Sequence, residues 1–218
     1  MNYHPLVMYI IEQGVPLQTL ALLLMIPVVA TLVAFFRQVV GIKAFGIYTP
    51  SIITFALLAF DPNGLKYGIA IFVSIILVGM FSRYMLRRFR LLYLPRVAIS
   101  ISIVAFAILL ILVLGGHFKR TGLASVSIFP LLIMITLAEK FVATQIEKGS
   151  RAAFILAGET LLISLVGYFL ISWNTFLLLI LMHPWLILFT FVINFNLGKW
   201  SGIRFTEYLR FRKIIAHL

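Results

Sequence analysis

The stretch TLLISLVGYFLISWNTFLLLILMHPWLILFTFVINFNLG, residues 160–198, decides how the rest of the chain is read. It runs for 39 residues without one Asp, Glu, Lys or Arg. A helix rises about 1.5 Å per residue and a bilayer's hydrocarbon layer is about 30 Å thick, so one crossing takes roughly 20 apolar residues. The stretch is therefore long enough for two crossings. Ser172-Trp173-Asn174 divides it, with one span expected over residues 152–171 and another over 175–194. The Trp173 indole, apolar with one polar edge, suits the water–lipid interface.

Working outward, further charge-free runs cover residues 13–36, 44–60, 67–82, 97–118 and 121–138. They predict spans over residues 16–36, 44–60, 67–82, 97–114 and 123–139. Arg37 ends the first, Asp61-Pro62-Asn63-Gly64 makes a turn after the second, and Gly115-Gly116 stops the fourth. The third is short for a perpendicular crossing, and Lys66 and Arg83 extend it by snorkelling. Composition agrees: of 218 residues 63% are hydrophobic and only 11% charged, against about a quarter charged in soluble domains. A cleaved signal peptide is a poor reading of the first span, because no Lys or Arg precedes it. With no cysteine, disulfides and thiolate chemistry are excluded.

Charge placement tests the segmentation. With the N-terminus outside, 15 of the 18 Lys and Arg residues fall on the cytoplasmic side, and only Lys66, Lys119 and Arg120 fall outside. That asymmetry is what the positive-inside rule expects of seven spans. The fold class is thus an all-α integral membrane protein: a bundle of seven transmembrane helices, N-terminus outside and C-terminus cytoplasmic. Residues 1–218 form one such domain, and residues 199–218 form a cytoplasmic basic amphipathic tail within it. The net charge of +12 marks orientation rather than nucleic-acid binding.

The densest basic patch is Arg83, Arg87, Arg88, Arg90 and Arg96, interleaved with Tyr84, Phe89 and Tyr93. It suits a juxtamembrane segment on anionic lipid, or the docking of a cytoplasmic partner. Glu159 is the most unusual residue, a carboxylate near the middle of the sixth span. An ionised group there must be paired, hydrated or protonated, and it should face the bundle interior. It reads either as an ion, proton or substrate contact, or as a structural link to Thr136 or His183. Those three residues form the candidate intramembrane polar site. Glu139, Lys140, Glu147 and Arg151 form a boundary cluster in which ion pairs fix helix ends. His183-Pro184 should kink the seventh span, and Pro27, Pro50 and Pro130 should break the first, second and fifth. Gly41 and Gly46 should thin the start of the second helix for a close crossing. His4, His117, His183 and His217 are dispersed and do not form a metal cluster. Asp61 and His117 share the outer face. No phosphate loop, His-Glu-x-x-His or nucleophile elbow is present. No catalytic residue, metal or cofactor is expected.

Ordered segments carry a resemblance. Residues 37–50, RQVVGIKAFGIYTP, residues 129–141, FPLLIMITLAEKF, the Glu147-Lys148-Gly149 triplet and residues 201–212, SGIRFTEYLRFR, together frame most of the chain. In that order they resemble the bacterial seven-helix domain usually found fused to an inactive transglutaminase-like domain. The resemblance implies an extracytoplasmic domain of that kind before the helices. Only about 15 residues precede the first span here, which predicts that the domain sits on another chain. It also implies gene neighbours that ligate or cleave peptides, and hence a membrane component of a peptide synthesis, modification or export system, placed in the bacterial inner membrane. The leading function is a noncatalytic membrane scaffold or sensor, possible partners being a transglutaminase-like domain, peptide-modifying enzymes and anionic lipids, with no nucleic acid. A transporter or peptide-export subunit using Glu159 is the alternative, and an intramembrane enzyme the third.

Overall fold

The computed structural model describes residues 4–60, 64–117 and 127–200, together with 202, 204, 205, 207 and 208. Its elements in chain order are α1 (Pro5–Glu12), α2 (Leu17–Phe35), a π-helical turn (Phe36–Val40), α3 (Tyr48–Leu58), α4 (Gly64–Leu86) and α5 (Tyr93–His117). Then come α6 (Ile128–Lys148), α7 (Ser150–Ser172), α8 (Asn174–Met182), a 3-10 turn (Pro184–Ile187) and α9 (Leu188–Gly198). Among the described residues there is no strand.

Among the described residues five helical runs are long and apolar enough to cross a membrane: Leu17–Val40, Leu65–Leu86, Tyr93–His117, Ile128–Lys148 and Ser150–Ser172. The bent pair Asn174–Met182 and Pro184–Gly198 would make a sixth. Apolar side chains point outward in large number, Phe106, Phe169, Phe191 and Phe195 among them. In water such a surface would drive aggregation; in lipid it is the solvent-facing surface. The protein is a multi-pass membrane bundle.

The chain divides into two compact units, residues 1–51 with 162–218 and residues 52–161. In the first, α2 is the axis. Its N-terminal half packs Leu20 and Ala21 against Val7 of α1 and Leu181 of α8, with Ile10, Leu24 and Leu177 around them. The His4 N–H donates to the Leu181 carbonyl at 3.4 Å, and the His4 imidazole accepts from Leu6 N–H at 3.2 Å to cap α1. Farther along, Asn194 Nδ2 donates to Thr31 Oγ1 at 2.7 Å, while Thr31 donates to the Pro27 carbonyl at 2.8 Å. Ser164, fully buried, donates to the Pro50 carbonyl at 3.0 Å.

In the second unit α4, α5 and α6 pack on one another. Ile71, Phe72, Ile75, Ile76 and Gly79 recur at the spacing that puts them on one face of α4. Across from them, α6 buries Met134, Leu137, Ala138, Phe141 and Val142. A β-carbon on Gly79 would stand 3.1 Å from the Phe141 ring, so any larger residue here would push the ring back by a few tenths of an ångström. At the ends of these helices Ser82 donates to Ser100 at 2.8 Å, and Ser100 donates to the Arg96 carbonyl at 2.9 Å. Both serines are fully buried.

Several expectations are corrected. The second span, expected over 44–60, is a helix of 11 residues, roughly 16 Å long, because Ala44 and Gly46, both at positive φ, delay its start. The seventh is not one kinked helix: α8 and the run from Pro184 meet at 103°. Pro184 has no N–H to continue the ladder, and a 3-10 turn takes over. Pro130 and Pro50 do not break helices. Each is the third residue of its own helix, where an N–H would go unused. With no kink there, α6 continues to Lys148, so Glu139 lies inside the helix rather than closing it. Pro27 lies inside α2, which continues on both sides of it. Likewise α5 passes through Gly115-Gly116 to His117. Trp173 does separate α7 from α8. Asp61, Lys119, Arg120, His217 and most of the expected tail over 199–218 lie outside the described residues.

Candidate functional site

The site begins where α2 loses regularity. After Phe35 the chain widens into the π-helical turn Phe36–Val40, a form frequent at functional positions. Gly41, at φ 90°, reverses the chain, and the N–H groups of Gly41 and Ile42 both donate to the Phe36 carbonyl, at 2.9 and 3.1 Å. Ala44 follows at φ 42° and Gly46 at φ 88°. Gly41 and Gly46 are therefore loop residues, not the thinned helix face expected of them. Ala44 holds a conformation that side chains disfavour, a strain that persists only where the surroundings fix it. The hydroxyl of Thr49 then donates to the Phe45 carbonyl and that of Ser51 to the Ile47 carbonyl, both at 2.9 Å, as α3 begins.

The end of α9 meets this loop. Lys199 Nζ stands 4.3 Å from the centre of the Phe195 ring, a cation–π contact. Gln38 Nε2 donates to the Trp200 carbonyl at 3.4 Å, across 162 positions of sequence. Between the two segments is a cleft of about 440 Å³ lined by Arg37, Gln38, Gly41, Ile42, Lys43 and Arg204, together with aliphatic residues. Arg37 is half-buried, and Lys43 and Arg204 are exposed. The Arg204 N–H donates to Glu207 Oε2 at 3.4 Å. The sequence marked Arg37, Lys43 and Arg204 as orientation signals; the structure brings them to one concave surface.

The other predicted residues are more scattered. Glu159 is half-buried at the tenth position of α7, beside the fully buried Thr160, whose hydroxyl donates to the Leu156 carbonyl at 2.6 Å. Thr136 lies off the buried face of α6, exposed, with its hydroxyl donated to the Ile133 carbonyl at 2.7 Å. His183 belongs to the other unit. It lies exposed at the 103° bend, its ring edge-on to Trp185 at 6.2 Å. Glu139 and Lys140 are exposed in α6, Glu147 and Lys148 are in its last turn, and Arg151 follows in the first turn of α7.

At the basic end of the second unit, Arg83 Nη1 donates to Ser150 Oγ at 3.2 Å, and Arg96 Nη2 donates to the Leu91 carbonyl at 2.7 Å. Arg83 also lies within electrostatic range of Arg87 and Arg96. Arg87 and Arg88 border a surface groove with Phe81, Tyr84, Met85 and Phe89, and Arg90 is exposed. Gln145 was missed. It is fully buried in α6, and neither its Oε1 nor its Nε2 has a hydrogen-bond partner among the described residues. Its spacing from Met134, Leu137, Ala138 and Phe141 was the available signal, because it continues their stripe.

Residues 6–215 match the model of a family described as seven transmembrane helices usually fused to an inactive transglutaminase. The chain belongs to this family. In this member of the transglutaminase-associated seven-helix family, the cleft joins two segments from near opposite ends of the matched region. No curated protein and no solved structure matches the chain.

Proposed function

We infer that the protein is a noncatalytic scaffold or sensor in the bacterial inner membrane, the membrane component of a peptide synthesis, modification or export system. In this reading it crosses seven times, with α3 and the α8–α9 run as two of the crossings, N-terminus outside and C-terminus cytoplasmic. The basic end of each unit faces the cytoplasm, as the positive-inside rule favours. Its partner is a transglutaminase-like domain outside or a peptide-modifying enzyme inside, and anionic lipid lies against Arg83, Arg87, Arg88, Arg90 and Arg96.

The observation that carries this reading lies within the first unit. The C-terminal part of the α8–α9 run, from the last turn of α8 onward, touches α1 at one end, through Leu181 with His4 and Val7. At its other end Trp200 bonds to Gln38 at the cleft. A run broken by the 103° bend thus connects the N-terminal helix to the basic end, as a relay between an outer domain and a cytoplasmic event requires. The family's usual fusion to an inactive transglutaminase supports a role in holding or reporting rather than in catalysis.

Purification in mild detergent should recover a protein partner, and a chain isolated repeatedly without one would count against a scaffold. The natural absence of cysteine makes topology directly measurable. Cysteines placed at Arg88 and Trp200 should react with an impermeant reagent only from the cytoplasmic side, and one at Leu6 only from outside.

A second reading, a transporter or export subunit, is favoured by the half-buried Glu159 in the middle of α7. It requires Glu159→Gln to abolish flux at unchanged membrane abundance. The scaffold reading requires the same variant to keep its partner.

A further inference from the structure

We propose that the cleft between the end of α2 and the end of α9 is a binding site for a phosphate-bearing anion. Three cationic side chains, Arg37, Lys43 and Arg204, converge on about 440 Å³ of space, and among the described residues that line it none is acidic. That volume is the size of a small-ligand pocket. Arg37 and Arg204, like charges on one concave surface, repel one another, and a multiply charged anion between them converts that repulsion into attraction. A phosphate monoester carries about −1.5 to −2 charges and three acceptor oxygens. It matches the planar fork of Arg37 and Arg204 and the point charge of Lys43 better than a singly charged carboxylate does.

The construction of the cleft separates it from an ordinary basic surface. Its lining comes from two segments far apart in the chain, tied by the Gln38–Trp200 hydrogen bond and shaped by the π-helical turn and the left-handed Gly41, Ala44 and Gly46. The groove beside Arg87 and Arg88, by contrast, is lined entirely from residues 81–89. Ala34, Ile42 and Leu197 give the cleft an aliphatic side next to the apolar helices. Its ligand therefore carries phosphate on one side and an apolar or glycerol body on the other. A phosphatidic-acid headgroup and a soluble phosphate monoester both meet that description. The site stands independently of the scaffold reading, because a transporter could hold the same anion.

The full chain, purified in nonionic detergent, is titrated with short-chain phosphatidic acid and, separately, with glycerol 3-phosphate, following the thermal unfolding midpoint. At least one probe should raise the midpoint in a saturable way. Stabilisation by both marks a site for phosphate as such, and stabilisation by the lipid alone marks a headgroup site. Arg204→Gln should weaken the half-saturating concentration about tenfold, and Arg37→Gln at least as much. Arg88→Gln, on the other unit, should leave it within about twofold. Arg204 is exposed, so its replacement tests the site even if the half-buried Arg37 proves necessary for folding. The proposal is overturned if neither probe stabilises the protein, or if Arg88→Gln weakens binding as much as Arg204→Gln.

Discussion

The two units finish their basic ends in opposite ways, although both are rich in arginine. In the second unit Arg83 and Arg96 are held by direct bonds, to Ser150 and back to Leu91, beside the Ser82–Ser100 pair, while Arg87, Arg88 and Arg90 stay exposed near a groove lined from a single segment. Gly79 lets α4 approach the Phe141 ring. In the first unit a widened turn and three left-handed residues hold α2 and the end of α9 around an open cleft. The contrast teaches that a count of arginines at a membrane boundary gives the side of the membrane but not the chemistry. Arginines bonded to neighbouring serines and carbonyls act as staples. Arginines on a concave wall set apart by backbone irregularity remain available to something else.

The comparison can be broken most forcefully at Gly79. Gly79→Val places branched carbon against Phe141 and should destabilise the second unit by about 2 kcal/mol, read as a fall in the unfolding midpoint in detergent. A variant as stable as the parent would mean that the unit is not closely packed there. Gln145→Met should act in the opposite direction, because it replaces a fully buried amide without partners by an apolar chain of similar shape. A gain of about 1–2 kcal/mol is expected. A loss instead would show that the amide is satisfied by something bound in the membrane-embedded protein, and the second unit would no longer be the sealed one. The smallest effects belong to single interhelical bonds. Ser82→Ala in the second unit and Asn194→Leu in the first should each cost about 0.6 kcal/mol, the usual size of such links in membranes. A much larger loss at Asn194 would make the α2–α9 contact, and with it the wall of the cleft, the more rigid of the two constructions.

Much of the fold was legible because a bilayer imposes so few options. A backbone in hydrocarbon must satisfy its own hydrogen bonds, so long charge-free runs become helices whatever their detailed packing. The separation at Trp173 follows from where interface residues stand, whereas the first run passes Arg37, expected to end it, and continues through the π-helical turn to Val40. The helices that departed from expectation did so for local backbone reasons. Pro130 was read as a break when its place in the first turn made it harmless, and Pro184 was read as a kink when the bend it marks reaches 103°. Position relative to the helix start, not the presence of proline, decided the outcome.

The candidate residues divide in the same way. Glu159 stood out because a carboxylate in an apolar run is expensive, and the structure places it half-buried in mid-helix as its sequence position suggested. Thr136 and His183 were singled out as its possible partners. The outward rotation of Thr136 on α6 and the position of His183 at a bend in the other unit were set by packing that no sequence spacing displays.

By itself the sequence determined that this chain is a helical membrane protein of the transglutaminase-associated family, because hydropathy, charge asymmetry and ordered motifs are properties written along one dimension. Only the tertiary structure decided that Arg37, Lys43 and Arg204 share a cleft, that Ser82 meets Ser100, and that Gln145 is enclosed. The reason is geometric. Residues up to 170 positions apart become neighbours only once helices have chosen their partners and their rotation, and that choice rests on side-chain fit and on a few left-handed backbone positions rather than on the apolar pattern they share.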